Sequence, residues 1–89
     1  MIKENEISIA VIGLGYVGFP LAVELSKLYQ VCGFDLNIER IDELKKGIDR
    51  NLEFKKKELL SKDLRFTNSF SDIKNCNIYI IGEQIFIII

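Results

Sequence analysis

The feature that most constrains the fold is the segment AVIGLGYVGFPLA at residues 10–22, in which three glycines separate an apolar run from a run with helical spacing. Residues 7–12 are β-branched and nearly all apolar, which is typical of a strand buried on both faces of a parallel sheet. After the glycines, Val17, Leu21, Leu25 and Leu28 recur on one helix face. Their spacing predicts a helix over 16–29 with that face turned inward.

The remainder of the sequence continues this alternation of strands and helices. Strands are predicted at 31–35, 64–67 and 77–81, helices at 38–46 and 54–61, and a helical turn at 71–74. The alternation favours an α/β fold, the first half of a doubly wound parallel sheet that stops after about the fourth strand. We therefore predict one partial domain over residues 1–81 and an atypical apolar C-terminal tail over 82–89.

The three glycines form a GxGxxG fingerprint, and Asp35 follows the first of them by 22 residues, where about 20 are expected. Gly13 permits the tight turn, Gly15 lets a pyrophosphate approach the backbone, and Gly18 lets the helix pack closely on the strand. The helix N terminus offers N–H groups to phosphates. Asp35 would accept hydrogen bonds from the adenosine ribose and repel a 2′-phosphate, which favours NAD over NADP. If the glycines served only turns and packing, nothing would explain why a predicted strand precedes them, a predicted helix follows them and an acid stands at the expected distance.

Composition argues against several other functions. Twelve basic and thirteen acidic residues give a net charge of -1, which does not indicate a nucleic-acid groove or an anionic membrane surface. No apolar run approaches the ~20 residues of a membrane span, and the N terminus is too acidic for a signal peptide. Histidine is absent, and Cys32 and Cys76 lack metal-ligand spacing. We predict no metal site, two buried free thiols, and a cytoplasmic chain without nucleic-acid or membrane partners.

Residues 9–53 closely resemble the N-terminal NAD-binding domain of the UDP-glucose/GDP-mannose dehydrogenase family. Within it, they look most like the dehydrogenases of UDP-N-acetylhexosamines used in polysaccharide synthesis. Tyr-Val between the second and third glycines, followed by Pro-Leu-Ala, makes the match more specific than a bare fingerprint. The resemblance extends over about residues 7–81 and implies a Rossmann domain. The cofactor-binding residues that it implies are Gly13, Gly15, Tyr16, Val17, Gly18, Asp35 and Arg40.

The resemblance also implies roles for these residues. The backbone from Gly13 to Gly18 would hold the pyrophosphate of NAD, Asp35 would bind the adenosine ribose, and Arg40 would lie by the adenosine moiety. From the residues alone, Arg40 is more simply interpreted as an exposed helix arginine paired with an acid such as Glu43.

Complete members of the family use two NAD molecules and a covalent cysteine intermediate to oxidise a nucleotide-sugar primary alcohol to a carboxylic acid. Neither Cys32 nor Cys76 has the context of that cysteine, and the catalytic lysine, asparagine and glutamate have no counterpart. The resemblance thus implies the cofactor-binding fragment of an oxidoreductase, inactive on its own. A UDP-sugar would be the substrate only of the full-length relative.

The sequence departs from the family after Ile81, where a loop of the Thr-Val-Pro-Thr-Pro kind is replaced by GEQIFIII. We expect a truncated product with an out-of-register tail. Without strands five and six, strand four becomes an edge, and the uncharged tail over 85–89 either promotes self-association there or adds as a further strand. Two other functions stay open: a stand-alone regulatory nucleotide-binding module, against which Tyr16-Val17 and Pro20-Leu21-Ala22 argue, and a non-functional product.

Overall fold

The computed structural model describes residues 3–82 and 84–88, which form five strands and three α-helices. The strands are β1 (Ser8–Ile12), β2 (Gln30–Phe34), β3 (Leu64–Thr67), β4 (Ile78–Ile81) and β5 (Gln84–Ile87). The α-helices are α1 (Gly18–Ser26), α2 (Ile38–Lys45) and α3 (Lys56–Leu59). Short 3-10 helices cover Glu4–Glu6 and Phe70–Asp72. Met1, Ile2, Glu83 and Ile89 lie outside the described residues, so the predicted tail is described here from Gln84 to Ile88.

The strands form a single sheet in the order β3-β2-β1-β4-β5. β1 lies at its centre and runs parallel to both β2 and β4, so that Ala10 stands opposite Cys32 on one side and Tyr79 on the other. β3 is parallel to β2 on the far side. These four parallel strands have the order of the first half of a doubly wound sheet, which confirms the predicted α/β fold.

The tail adds to the sheet as an additional strand. β5 pairs antiparallel with β4, with Ile85 opposite Ile80 and Phe86 opposite Tyr79. The connection between the two strands is too short for the crossover that a parallel neighbour requires, so the chain reverses at Gly82, whose φ is 60°. β5 therefore forms the edge of the sheet beyond β4, and β4 is paired on both sides.

The two faces of the sheet are covered unequally. The three α-helices cover one face, where the larger core cluster includes Val11, Phe19, Ile41, Leu44 and Leu59. The segment after β3 covers the other face with a smaller cluster, formed by Ala10, Cys32, Phe34, Ile73 and Cys76. Both cysteines are buried free thiols, as predicted. No helix in the described part of the chain is long and apolar enough to cross a membrane.

The helices α1 and α3 differ from their predicted extents. α1 begins two residues later than predicted and ends at Ser26, because the N–H groups of Lys27 and Leu28 turn back to carbonyls three residues earlier. α3 covers Lys56–Leu59 and is therefore shorter than the helix predicted over 54–61. The helical turn predicted at 71–74 is the 3-10 helix Phe70–Asp72. α2 agrees closely with its prediction, and the Asn37 side chain caps it by accepting a hydrogen bond from the Arg40 N–H.

The prediction of which α1 face is buried was right only in part. Leu21 and Leu25 are partly buried and pack against the core cluster, but Val17 and Leu28 are 67% and 70% exposed. The fully buried residues of α1 are Phe19, Ala22, Val23 and Ser26. Small residues recur every four positions at Gly18, Ala22 and Ser26, which lets this face lie close to the sheet.

Gly18 holds α1 directly against the turn that precedes it. A Cβ placed on Gly18 would lie 1.9 Å from the carbonyl oxygen of Gly13, a distance that no side chain can occupy. Gly13 itself has a φ of 95°, which is strained for residues with a side chain. The path from β1 into α1 therefore requires glycine at both positions.

We predict that Gly18→Ala lowers the free energy of unfolding by about 3 kcal/mol or more, since the added methyl group forces the helix away from the turn. Gly15→Ala is the matched control, because a Cβ there meets nothing within 4 Å and should leave stability nearly unchanged. Urea denaturation followed by circular dichroism would measure both. Equal stability of the two variants would contradict the close contact.

Candidate functional site

The candidate site lies at the carboxyl edge of the sheet, where β1 and β2 both end. The residues from Gly13 to Val17, here called the glycine loop, leave β1 and enter α1. The Gly13 N–H donates to the carbonyl oxygen of Phe34 at 2.8 Å, which ties the start of this loop to the end of β2. Adjacent parallel strands thus bring the glycine loop and Asp35 together, as the sequence predicted.

The glycine loop presents unused backbone donors to solvent. Within residues 3–82 and 84–88, no hydrogen bond has the N–H group of Gly15, Tyr16 or Val17 as its donor. The space beside Gly15 is open, and the Tyr16 side chain is 91% exposed. These N–H groups stand at the N terminus of the nine-residue helix α1, where the helix dipole is positive. The loop is therefore suited to hold an anionic group against its backbone.

Asp35 connects the end of β2 to the glycine loop. One carboxylate oxygen accepts the Leu14 N–H at 2.9 Å, and the other accepts the Asn37 N–H at 3.0 Å. Asp35 is half-buried, and each carboxylate oxygen retains a further acceptor position. The side chain can therefore hold the loop in place and still accept hydrogen bonds from a ligand.

Arg40 lies over the Phe19 ring, and its guanidinium carbon is 4.7 Å from the ring centroid. Glu43, the acid considered as its partner, binds Arg50 instead, with Arg50 Nε donating to Glu43 Oε2 at 2.9 Å. That hydrogen bond lowers the pKa of the Glu43 carboxyl. Arg40 is therefore held near the start of α1 by an aromatic contact, without an ion pair among the described residues.

Sequence reasoning missed the role of Asp49. Its side chain is 4% exposed and accepts hydrogen bonds from the N–H groups of Asn51, Glu53 and Phe54. These bonds hold the following loop in a tight bend, in which Leu52 takes a φ of 54°. An aspartate that starts a polar segment after a helix was the available signal, because such side chains often bond backbone two residues further on.

The loop held by Asp49 closes one side of a cavity beside the glycine loop. This cavity has a volume of about 270 Å³. Its lining includes Gly15, Tyr16, Phe19, Arg40, Arg50 and Asn51. The predicted residue Arg40 thus shares a cavity with the predicted residues Gly15 and Tyr16.

The chain's thiols are unsuited to nucleophilic chemistry. Burial raises the pKa of Cys32 to about 11, and Cys76 is also buried, accepting a hydrogen bond from the Ser8 hydroxyl. A thiolate, which is the reactive form, is therefore disfavoured at Cys32. In the part of the chain that the structure describes, no group of three or more histidine, cysteine, aspartate or glutamate side chains is placed to hold a metal ion.

Comparisons with known proteins agree with this geometry. The model of the UDP-glucose/GDP-mannose dehydrogenase family, NAD binding domain, matches residues 7–83. A UDP-N-acetyl-D-glucosamine 6-dehydrogenase of Salmonella typhi is 56% identical over 78 residues, which are 86% of this chain and 18% of that protein. The enzyme of the same name from Pseudomonas aeruginosa is 48% identical over 78 residues, with the same two coverages.

Solved structures show the same relationship. The UDP-D-ManNAc dehydrogenase of Pyrococcus horikoshii superposes with a TM-score of 0.73 at 36% identity, covering 84% of this chain and 19% of that one. The chain thus spans about one fifth of the length of the relatives it matches. On this sequence match and this fold, the chain belongs to the UDP-glucose/GDP-mannose dehydrogenase family and corresponds to its NAD-binding domain.

Proposed function

We propose that this chain binds NAD mainly through the adenosine diphosphate half of the cofactor. The pyrophosphate would lie against the free N–H groups of Gly15, Tyr16 and Val17, and the adenosine ribose would donate hydrogen bonds to Asp35. The observation that carries this proposal is the placement of unused backbone donors and a carboxylate at one edge of the sheet, linked by the Leu14–Asp35 hydrogen bond. The open space at Gly15 leaves room for the pyrophosphate.

Asp35 would also select the cofactor. The 2′-phosphate of NADP would lie close to the Asp35 carboxylate, and the repulsion between the two anionic groups disfavours NADP. Arg40 would lie on the ribose side of the bound adenosine, since it borders the cavity that Gly15 and Tyr16 share.

We propose that residues 1–81 form the cofactor-binding part of the chain and that residues 82–89 are an addition to it.

The wider activity that we propose is that of a UDP-sugar 6-dehydrogenase, in which this chain supplies the cofactor-binding part. Such an enzyme oxidises the primary alcohol of the sugar to a carboxylate with two NAD molecules, each of which accepts one hydride, and water supplies the second carboxylate oxygen. Support comes from the two relatives named as UDP-N-acetyl-D-glucosamine 6-dehydrogenases. This chain by itself would bind the cofactor without oxidising the sugar, because its cysteines are buried and Cys32 has a raised pKa.

A second proposal concerns self-association through β5. The side chains of Ile85, Phe86 and Ile87 are 50–63% exposed, and none of the residues from Gln84 to Ile88 is charged. Native edge strands usually carry charges, bulges or covering segments that prevent pairing with another chain. Two copies related by a two-fold axis would pair β5 with β5 in antiparallel orientation, with uncharged residues opposite one another.

For NAD binding, we predict that Asp35→Ala weakens the affinity for NAD about 10- to 100-fold, because hydrogen bonds between the ribose and a charged acceptor are lost. In the same variant, the ratio of the affinity for NAD to the affinity for NADP should decrease. Isothermal titration calorimetry with both cofactors would measure the two effects. The ratio of the two affinities matters most, since a general loss of folded protein lowers both affinities equally.

Gly15→Ala provides the matched test of the glycine loop. It should weaken NAD binding at least about tenfold while stability is retained, since its methyl group enters only the space assigned to the pyrophosphate. If the unmodified chain is folded but does not bind NAD, or if both variants bind NAD like the unmodified chain, the proposed function is wrong.

For self-association, we predict that Ile87→Lys shifts the chain toward monomer, because a lysine on an edge strand opposes pairing of that strand with another chain. Leu28→Lys, a comparable change at an exposed leucine in the turn after α1, should leave the assembly unchanged. Sedimentation velocity over a range of concentrations would measure both. A monomeric unmodified chain at every concentration would refute the β5 contact.

A further inference from the structure

The strand β3 stands at one end of the sheet, and its outer edge has no neighbouring strand in the part of the chain that the structure describes. N–H groups near the two ends of β2 donate to the carbonyl oxygens of Asp63 and Thr67. Because alternate residues of a parallel strand bond the same neighbour, Arg65, midway between these two, also bonds β2. Leu64 and Phe66 therefore direct their backbone N–H and carbonyl groups toward the outer edge.

Most of these outward backbone groups are unused. The Leu64 N–H donates to the carbonyl oxygen of Ser61 at 3.1 Å. Over residues 3–82 and 84–88, no other hydrogen bond at this edge uses the Phe66 N–H or the carbonyl oxygens of Leu64 and Phe66. An extended segment running antiparallel to β3 could exchange two hydrogen bonds with Phe66 and donate a third to the Leu64 carbonyl oxygen.

A cavity of about 350 Å³ lies beside this edge. It is lined by Lys45 at the end of α2, by residues 59–61 at the end of α3 and by residues 64–66 of β3. Leu60 is 50% exposed there, so apolar surface is available to a ligand. The volume is at the low end of the roughly 300–1,000 Å³ of ligand pockets, which suits one or two apolar side chains.

The surroundings of the cavity are cationic. Its lining includes the exposed residues Lys45 and Arg65 and contains no acid. Residues 55–65 contain five basic and two acidic residues, although the whole chain has a net charge of -1. Both of those acids already bind other side chains of the protein. The charge that is left favours an acidic ligand.

We propose that the free edge of β3 binds an extended acidic peptide, which joins the sheet as a further strand. Leu64 and Phe66 belong to the core cluster on the helix side of the sheet, and Arg65 between them points to the other side. A peptide that alternates apolar and acidic residues would place its apolar side chains at the cavity and an acid beside Arg65.

This mode of binding combines two sources of recognition. Backbone hydrogen bonds to a strand edge supply affinity, and pockets for alternate side chains supply specificity. The strand β5 of a second copy fits less well, because none of the residues from Gln84 to Ile88 is charged. The β3 edge is also separate from the glycine loop, so this inference goes beyond cofactor binding and does not depend on it.

The first test uses the peptide acetyl-Ser-Ile-Glu-Ile-Glu-Ser-amide, titrated into the full chain and followed by amide NMR. Shifts should appear at Leu64–Phe66, while Gln84–Ile87 should stay unshifted. N-methylation of either isoleucine removes an N–H group that points toward β3, so it should weaken binding by about tenfold or more. N-methylation of the first glutamate is the matched control, because its N–H group points away from β3 and its loss should leave the affinity unchanged.

The second test reverses a charge on the protein. Arg65→Glu should weaken binding of the same peptide about tenfold, because it places an acid beside the acid of the peptide. Lys74→Glu, the reversal of an exposed charge outside the lining of the cavity, should leave binding unchanged. Circular dichroism would show that both variants are folded.

Three results would overturn the inference. They are a folded unmodified chain that does not bind the peptide, shifts located on β5 instead of β3, and equal affinity for the peptides methylated at isoleucine and at glutamate. If Arg65→Glu does not fold, the methylated peptides decide the question on the unmodified chain. None of these measurements uses NAD, so the proposed cofactor binding stands or fails separately.

Discussion

The close contact between Gly18 and the carbonyl group of Gly13 determines how the carboxyl edge of the sheet is arranged. A Cβ would not fit between them, and Gly18 has none. The helix α1 can therefore begin directly against the end of β1, with its N terminus facing outward. The small residues that follow at Ala22 and Ser26 keep the helix close to the sheet along its length. The unused N–H groups of the glycine loop are a consequence of this tight junction.

Two carboxylates then organise the loops on either side of that junction. Asp35 accepts the Leu14 N–H and ties the glycine loop to β2, while Asp49 accepts three backbone N–H groups and bends the loop that carries Arg50. In each case a charged acceptor satisfies backbone donors that a strand or helix would otherwise pair. Asp35 combines this structural role with the position proposed for ribose binding, so its substitution affects both.

Much of the fold was accessible from sequence because its signals are local. An apolar run before glycines, a helical run after them and an acid at the end of the next strand each depend on neighbouring residues, and all three occur where expected. The errors arose where contacts are distant. The buried face of α1 depends on the approach of Gly18 to Gly13, which apolar spacing does not reveal, and the partner of Glu43 depends on a loop bent by Asp49.

The sequence by itself determined the order of strands and helices, the glycine loop, Asp35 and the family to which the chain belongs, because these follow from short patterns along the chain. Only the tertiary structure decided that the tail pairs with β4, that Arg40 lies over Phe19 and that Lys45 and Leu60 line a cavity beside the free edge of β3. Each of these outcomes joins residues that are distant in sequence. Their contacts depend on how the sheet and its covering segments pack, which no local pattern specifies.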